Sequence, residues 1–344
     1  MSEPYAILTT DLHLTEKAED QYRFDLFPWV LKQWGDSRAQ VVIITGDLTD
    51  RKDNHSGWFV NRIVSALSSL TPRFRVLLLK GNHDFTDPTS PFFQFLGRIE
   101  HFQYFTKPEV VSLRGLTRKR KLLMLPNTKN PDTDWEKINF SGMDAVFLHQ
   151  TLKGAKAENG MELDGMATGR FKGYKAKFFS GDIHVPQIIG PITYIGSPYH
   201  IHFGDSFEPR LLVADEKFNC TDAHFPAPRK HTVEIRFPAD LKKAERLRAG
   251  DWIKVRLILP RAEFVDWPKH RDDVKRGCEK LGLKLHGVEL REFRRERLPT
   301  RDGSEKKPTR RSQDPEAAFE AYCKAQGIDD PTAAVGRELL KGVL

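Results

Sequence analysis

The sequence predicts an α/β fold, and three observations carry that prediction. Val41-Val42-Ile43-Ile44 is a run of β-branched apolar residues suited to a strand covered on both faces, and it ends in Thr45-Gly46-Asp47. The same construction, an apolar strand ending on a polar residue, recurs at four other places. Between the strands lie segments whose apolar residues repeat at helical spacing, such as Phe59, Ile63, Ala66, Leu67 and Leu70. Polar residues at the carboxyl ends of parallel strands are where open α/β sheets place their sites.

A chain of 344 residues suggests about two domains. No apolar run approaches the roughly 20 residues that span a membrane. The start, Met1-Ser2-Glu3-Pro4, lacks the basic and apolar regions of a secretory signal. Cys220, Cys278 and Cys323 are odd in number and far apart, so reduced thiols in a cytoplasmic protein are expected. The net charge of +8 favours an anionic partner such as nucleic acid, although many basic proteins bind none.

Taken in order, residues 5–9 read as the first strand and 22–34 as helical, with Pro28 able to split the segment. Strand 41–44, helix 58–70 and strand 76–79 follow. Weaker strands fall at 110–113 and 121–125, then 145–148 leads into His149. Residues 151–175, rich in Gly and Lys, read as a loop near the site. Strands at 178–180, 193–195 and 211–213 close a first domain, 1–228. The pattern changes after Pro226-Ala227-Pro228-Arg229. Strands at 232–237, 252–259 and 284–290 with a helix at 269–281 predict a small α+β domain over 229–290. Residues 291–313 are polar and basic and read as a linker, either solvated or touching DNA phosphates. The tail, 314–344, starts a helix at Asp314-Pro315-Glu316 and a second at Asp330-Pro331.

Five motifs stand in order at strand ends: Asp11-x-His13, Gly46-Asp47, Gly81-Asn82-His83-Asp84, His149 and Gly181-Asp182-x-His184. Carboxylate, imidazole and amide oxygen are the ligands that hard and borderline divalent cations take. Two ions about 3.5–4 Å apart can clamp both oxygens of an in-line phosphoryl displacement. Asp47 is the expected bridge. Asp11, His13 and His184 would complete one shell; Asn82, His149 and Asp182 the other. Metal binding lowers the pKa of water, so a hydroxide between the ions is the expected nucleophile. His83 is not needed as a ligand. It is expected to stabilise charge on the phosphate or protonate the leaving oxygen, with Asp84 orienting its ring. Asp50 either bonds near the site or caps its loop. His200 and His202 read as surface or core histidines before DNA contacts. A strand-end polar pair such as Asp11 and His13 is ordinary alone; it is the five together that point to a metal.

These motifs resemble, in kind and order, those of the calcineurin-like metallophosphoesterases. The resemblance spans about the first two-thirds of the chain. It implies a four-layer αββα sandwich holding two divalent ions, of Mn²⁺ first, with Mg²⁺, Fe or Zn as alternatives. Within the family, Gly46-Asp47-Leu48-Thr49-Asp50, Gly181-Asp182-Ile183-His184-Val185-Pro186-Gln187, Tyr194-Ile195-Gly196-Ser197-Pro198 and the domain order are similar to SbcD-type DNA repair nucleases. That likeness implies a 3′→5′ exonuclease on duplex ends with single-strand endonuclease action. It also implies a capping domain, and C-terminal helices that bind an SbcC-type ABC ATPase, with a homodimer inside a heterotetramer. The compact size suits a bacterial or phage version, in a bacterial or phage-infected cytoplasm. Most relatives carry Gly-His-x-His where this chain has Gly181-Asp182-x-His184. The extra carboxylate is expected to favour harder ions such as Mn²⁺ or Mg²⁺. Two other readings stay open: a small-molecule phosphodiesterase or phosphatase, and a non-catalytic DNA-end-binding scaffold.

Overall fold

The computed structural model describes residues 3–115, 117–236 and 238–292, and beyond these 319–320, 323 and 330–341. The described residues up to 292 belong to one compact unit, and a second unit begins at residue 294. The basic linker, and most of the first tail helix expected from Asp314, lie outside the described residues. The second tail segment is a helix, Asp330–Lys341.

Two six-stranded sheets stack face to face. The first contains β1 (Ala6–Thr9), β2 (Val41–Ile44), β3 (Arg75–Leu79) and β4 (Phe102–Phe105), all parallel. The chain returns much later to add β11 (Leu211–Ala214) antiparallel to β1, with β12 (Cys220–Ala223) outside it. The second sheet contains β5 (Glu109–Arg114), β6 (Lys119–Leu125), β7 (Ala145–His149), β8 (Lys177–Gly181), β9 (Gln187–Ile189) and β10 (Ile192–Tyr194). Its order is β5-β6-β7-β8-β10-β9, with β6, β7, β8 and β10 parallel.

Alternation along the strands builds three apolar layers. Val41 and Ile43 face the layer between the sheets, with Leu77, Leu122, Phe147 and Phe179. Val42 and Ile44 face the helices outside the first sheet, with Ile63, Leu67 and Phe59. All four residues of β2 are buried, which is why its sequence runs apolar without a break. Burying each such side chain is worth about 1.5–3 kcal/mol. The outer face of the second sheet packs Leu123, Val146, Leu148 and Phe178 against Trp135, Phe140 and Phe171. That outer layer is thin, with a helical turn at Pro131–Asp134, a 3₁₀ turn at Thr168–Phe171 and loops.

Outside the first sheet lie α1 (Leu26–Trp34) and α2 (Gly57–Leu70). A 3₁₀ helix, Ala18–Asp25, leads into α1, so Pro28 sits in the first turn of α1, where its missing N–H costs nothing. The Ser56 hydroxyl accepts from the Phe59 N–H at 3.2 Å and caps α2, worth about 1 kcal/mol.

The segment after Pro228 forms a third, all-parallel sheet of β13 (Lys230–Ile235), β14 (Trp252–Leu259) and β15 (Lys284–Glu292). It has its own core with the helix Trp267–Lys280. It is tied to the rest through Lys230, whose Nζ lies 2.7 Å from Asp20 Oδ1 and 3.1 Å from Ile201 O. Phe203 stacks on His286 of β15 at 4.4 Å.

Candidate metal centre

Every ligand-type residue expected from the motifs stands at, or just past, the carboxyl end of a parallel strand. Asp11 and His13 follow β1, Asp47 follows β2 and Asn82 follows β3. His149 ends β7, and Asp182 and His184 follow β8. The first sheet supplies four of them and the second sheet three.

The backbone there is unusual. Asp11, His13, Asp47 and Asp182 have φ of +50°, +39°, +52° and +85°, a region that L-residues enter at a cost. Gly46 and Gly81 permit the crowding. A Cβ on Gly46 would come 2.3 Å from His149 Nδ1, and one on Gly81 would come 2.3 Å from Asp47 N. The glycines before Asp47, Asn82 and Asp182 let strands from two sheets bring their ends together.

Three groupings result, in which ligand atoms lie within 4.8 Å of one another: Asp11, His13 and His184; Asp11, Asp47 and His149; and His13, Asp50 and His83. Asp47 reaches both sides, with Oδ2 3.6 Å from His13 Nε2 and Oδ1 3.4 Å from His149 Nε2. The Nε2 atoms of His13 and His184 point at each other 3.1 Å apart. The Asn82 side-chain oxygen sits 3.2 Å from both Asp47 oxygens and 3.3 Å from Asp182 Oδ1. A second Asn82 rotamer, with the amide turned, would place hydrogens there; a cation would answer the same oxygens. Asp11 is fully buried, and its Oδ2 has no hydrogen-bond partner. A buried carboxylate with one oxygen lacking a donor, grouped with the ligand atoms of Asp47, His149, His13 and His184, is an environment a cation stabilises. The residues therefore fit a divalent metal.

The charges tell the same story. Burial raises the Asp11 carboxyl to about 6, partly offset by His149 and His184. Burial would also raise Asp47, but the His149 ring outweighs it and holds the carboxyl well below its usual range. His149 is the counterpart: burial opposes its charge, and Asp47 lifts it well above its ordinary value. Its Nδ1 lies 2.5 Å from Thr45 O, so that nitrogen carries a proton and Nε2 faces the carboxylates. Burial lowers His13 to about 4, which keeps that ring neutral and able to coordinate.

His83 lies outside the crowded oxygens. Its N–H donates to Asp47 Oδ1 at 2.8 Å, its ring Nδ1 is 3.3 Å from Asp50 O, and it is half-buried beside His13. The expected pairing of Asp84 with that ring gives way to a different geometry. Both Asp84 oxygens accept from backbone instead: Gly81 N at 2.7 Å, Asp47 N at 3.0 Å and Leu48 N at 2.8 Å. Asp84 staples the β2 and β3 end loops together and thereby aims Asp47. It is drawn there because three buried N–H groups need an acceptor.

Three further residues touch the cluster. Asp50 Oδ1 lies 3.6 Å from His13 Nδ1, and that contact holds the Asp50 carboxyl well below its usual range. Thr151 donates through Oγ1 to Asp182 Oδ2. Glu158 Oε1 lies 2.8 Å from His184 Nδ1. The sequence carries no signal for Thr151 or Glu158, which sit in an aperiodic loop. His200 is a core histidine, with Nε2 3.0 Å from Phe207 O and Nδ1 accepting from Lys230 N. His202 is exposed, its ring centre 5.8 Å from that of His184.

Two stacked sheets with Asp, Asn and His gathered at their carboxyl ends define a metal-dependent hydrolase. The chain belongs to the calcineurin-like phosphoesterase family, which matches residues 6–186 and so takes in all five motifs. Among solved structures, the chain is similar to the Pseudomonas putida nuclease MPE at 12% identity. That likeness covers 63% of this chain and 87% of the other, with a TM-score of 0.29. No curated protein matches the chain. No described helix is long and apolar enough to cross a membrane. The three cysteines are free thiols.

Proposed function

We propose that the chain is a divalent-metal-dependent DNA nuclease that hydrolyses phosphodiester bonds. The observation that carries the hydrolytic part is the convergence of Asp11, His13, Asp47, Asn82, His149, Asp182 and His184 on one cluster, in which the buried Asp11 Oδ2 has no hydrogen-bond partner. Bound ions would supply Lewis acidity and a water acidic enough to attack at neutral pH. Asp47 would hold them from between, with Asp11, His13 and His184 on one side and Asn82, His149 and Asp182 on the other. His83, at the edge of the cluster, would steady the charge on the phosphate and hand a proton to the leaving oxygen. Asp84 would act through Asp47 by fixing the loop it stands on.

DNA as substrate is supported by the net charge of +8 and by the likeness of the motifs to SbcD-type nucleases. The same likeness supports 3′→5′ action on duplex ends, Mn²⁺ as the working ion, a dimer, and an SbcC-type ATPase held by the C-terminal helices. The extra carboxylate at Asp182 supports the preference for a hard ion. An Asp182→His variant with unchanged metal preference would remove that last element.

The test is release of nucleotides by the purified chain with Mn²⁺ from a linear duplex labelled at one end, beside His83→Gln and Asp47→Ala. Metal-dependent release from the 3′ end, lost in both variants, is the expected result. Turnover of a small phosphodiester with no action on DNA, alone or with an SbcC-type subunit, would replace the nuclease reading with the small-molecule one. Tight DNA binding with no hydrolysis of either would leave a scaffold.

A further inference from the structure

We propose that Glu158 is a positioning residue for His184, carried to it on a hairpin that Gln187 fastens in place. The inference rests on the metal reading above and adds a residue to it.

Residues 155–163 double back on themselves. Leu163 N–H donates to Ala155 O at 2.7 Å, Ala157 N–H to Met161 O at 2.9 Å and Gly160 N–H to Ala157 O at 2.9 Å. Gln187 then clamps this hairpin to the segment that carries His184. Its Oε1 accepts from Lys156 N at 2.8 Å, and its Nε2 donates to Lys156 O at 2.8 Å. The side chain thus satisfies one residue's backbone on both counts, as a neighbouring strand would. Gln187 is three residues past His184, so the clamp fixes the hairpin within reach of the ligand.

At the turn of the hairpin, Glu158 brings Oε1 to 2.8 Å from His184 Nδ1, with the His184 ring 12% exposed and the Glu158 side chain 30%. The approach is off the N–H axis, so it is charge attraction more than an aligned hydrogen bond. A lone pair on Nδ1 facing that carboxylate would be repelled at any angle. The proton is therefore held on Nδ1, and the lone pair is left on Nε2, which points at His13 inside the cluster. His149 follows the same rule with Thr45 O at its Nδ1. Outer partners of this kind fix both ring orientation and tautomer in metal sites. The same loop also holds Asp182, to which Thr151 donates through Oγ1. Both residues of the last motif are therefore set by one loop of no recognisable pattern.

The test compares the full chain with Glu158→Ala, Glu158→Gln, Gln187→Ala and the Glu158→Ala/Gln187→Ala double variant. Titration calorimetry with Mn²⁺ should show one of two ions bound about 10–100-fold more weakly in Glu158→Ala. Glu158→Gln, which keeps an oxygen there, should recover part of the loss. Gln187→Ala should weaken binding less, and the double variant should match Glu158→Ala alone. In the metal-free protein, ¹⁵N spectra should show Nδ1 of His184 protonated, and less so in Glu158→Ala. Unchanged affinity together with an unchanged ring would overturn the proposal. If the unaltered chain takes up no Mn²⁺, the metal reading fails by itself, and the ring spectrum alone decides the role of Glu158.

Discussion

Asp47 and His149 belong to different sheets, yet Asp47 Oδ1 lies 3.4 Å from His149 Nε2. The buried pair is held by mutual charge, the ring standing among oxygens that a metal ion would otherwise bridge. Ion binding should therefore stabilise the fold. With Mn²⁺ at a hundred times its Kd, the gain is about 2.7 kcal/mol per site. Thermal unfolding should shift upward on adding Mn²⁺ and return with a chelator. Asp47→Ala should show no such shift, and its hydrolytic rate should fall by at least a hundredfold. An ion-independent melting curve in the unaltered chain would contradict the centre.

His83 and Asp84 are neighbours with separable duties. His83→Gln should lower kcat while leaving stability within about 0.5 kcal/mol, since the ring is half-exposed and its contacts, Asp50 O at 3.3 Å and the edge-on His13 ring, are weak. Asp84→Asn should do the reverse first. It sets an amide group against three N–H donors and should cost about 1–3 kcal/mol. Denaturant unfolding beside steady-state kinetics separates the two. Equal loss of stability in both would show that the loop staple has been misassigned.

The end of the molecule away from the centre offers a pH test free of metal. Glu216 is buried under Thr117 N at 2.9 Å, Thr117 Oγ1 at 3.0 Å and Arg120 Nε at 3.1 Å. Burial alone would raise its carboxyl, but those donors overrule it and hold it at about 2, below the ordinary 4.5. The ionised form is the stabilised one. Its contribution is complete above pH 4.5 and disappears as the pH falls towards 2. Glu216→Gln should therefore cost about 1.5–3 kcal/mol at pH 7, with the gap to the unaltered chain closing between pH 4.5 and pH 2. A gap independent of pH would rule out the charge as its source.

Asp20 joins the third sheet to the first domain. Its Oδ1 lies 2.7 Å from Lys230 Nζ and 3.0 Å from Arg23, and all three side chains are at most 5% exposed. Asp20→Ala leaves two buried cations facing each other and should cost about 3–5 kcal/mol. Lys230→Met, which leaves Asp20 still paired with Arg23, should cost less. Hydrogen exchange in β13–β15 should rise in Asp20→Ala more than exchange in β2 and β3. Equal protection throughout would mean that this pair does not anchor the third sheet.

The five motifs were legible because each follows an apolar run that can only be a buried strand. Residues such as Val41–Ile44 announce both the strand and the place where it stops. Asp84 was legible as part of the site, but its partner was not, since a carboxylate beside a histidine can turn either way and only the backbone N–H groups of Gly81, Asp47 and Leu48 decide. The pairing of β11 with β1 joins residues about 200 apart and has no local mark. The same distance hides Asp20 and Lys230 from each other. Residues 151–165 have no periodicity, so Thr151 and Glu158 could be placed near the site only as members of a loop.

The division of the centre between two sheets has a consequence for the newly made chain. Asn82, the last ligand from the first sheet, leaves the ribosome 102 residues before His184, which at about 5–20 residues per second is a delay of about 5–20 s. Until then, the nascent chain carries half a ring of ligands and no completed centre. Even His184 is not the end, because β1 keeps an open edge until residues 211–214 arrive beside it. A phosphoester-hydrolysing centre built this way is incomplete until the second sheet's ligands are made, and a ribosome that stalls before then releases a fragment with only part of it.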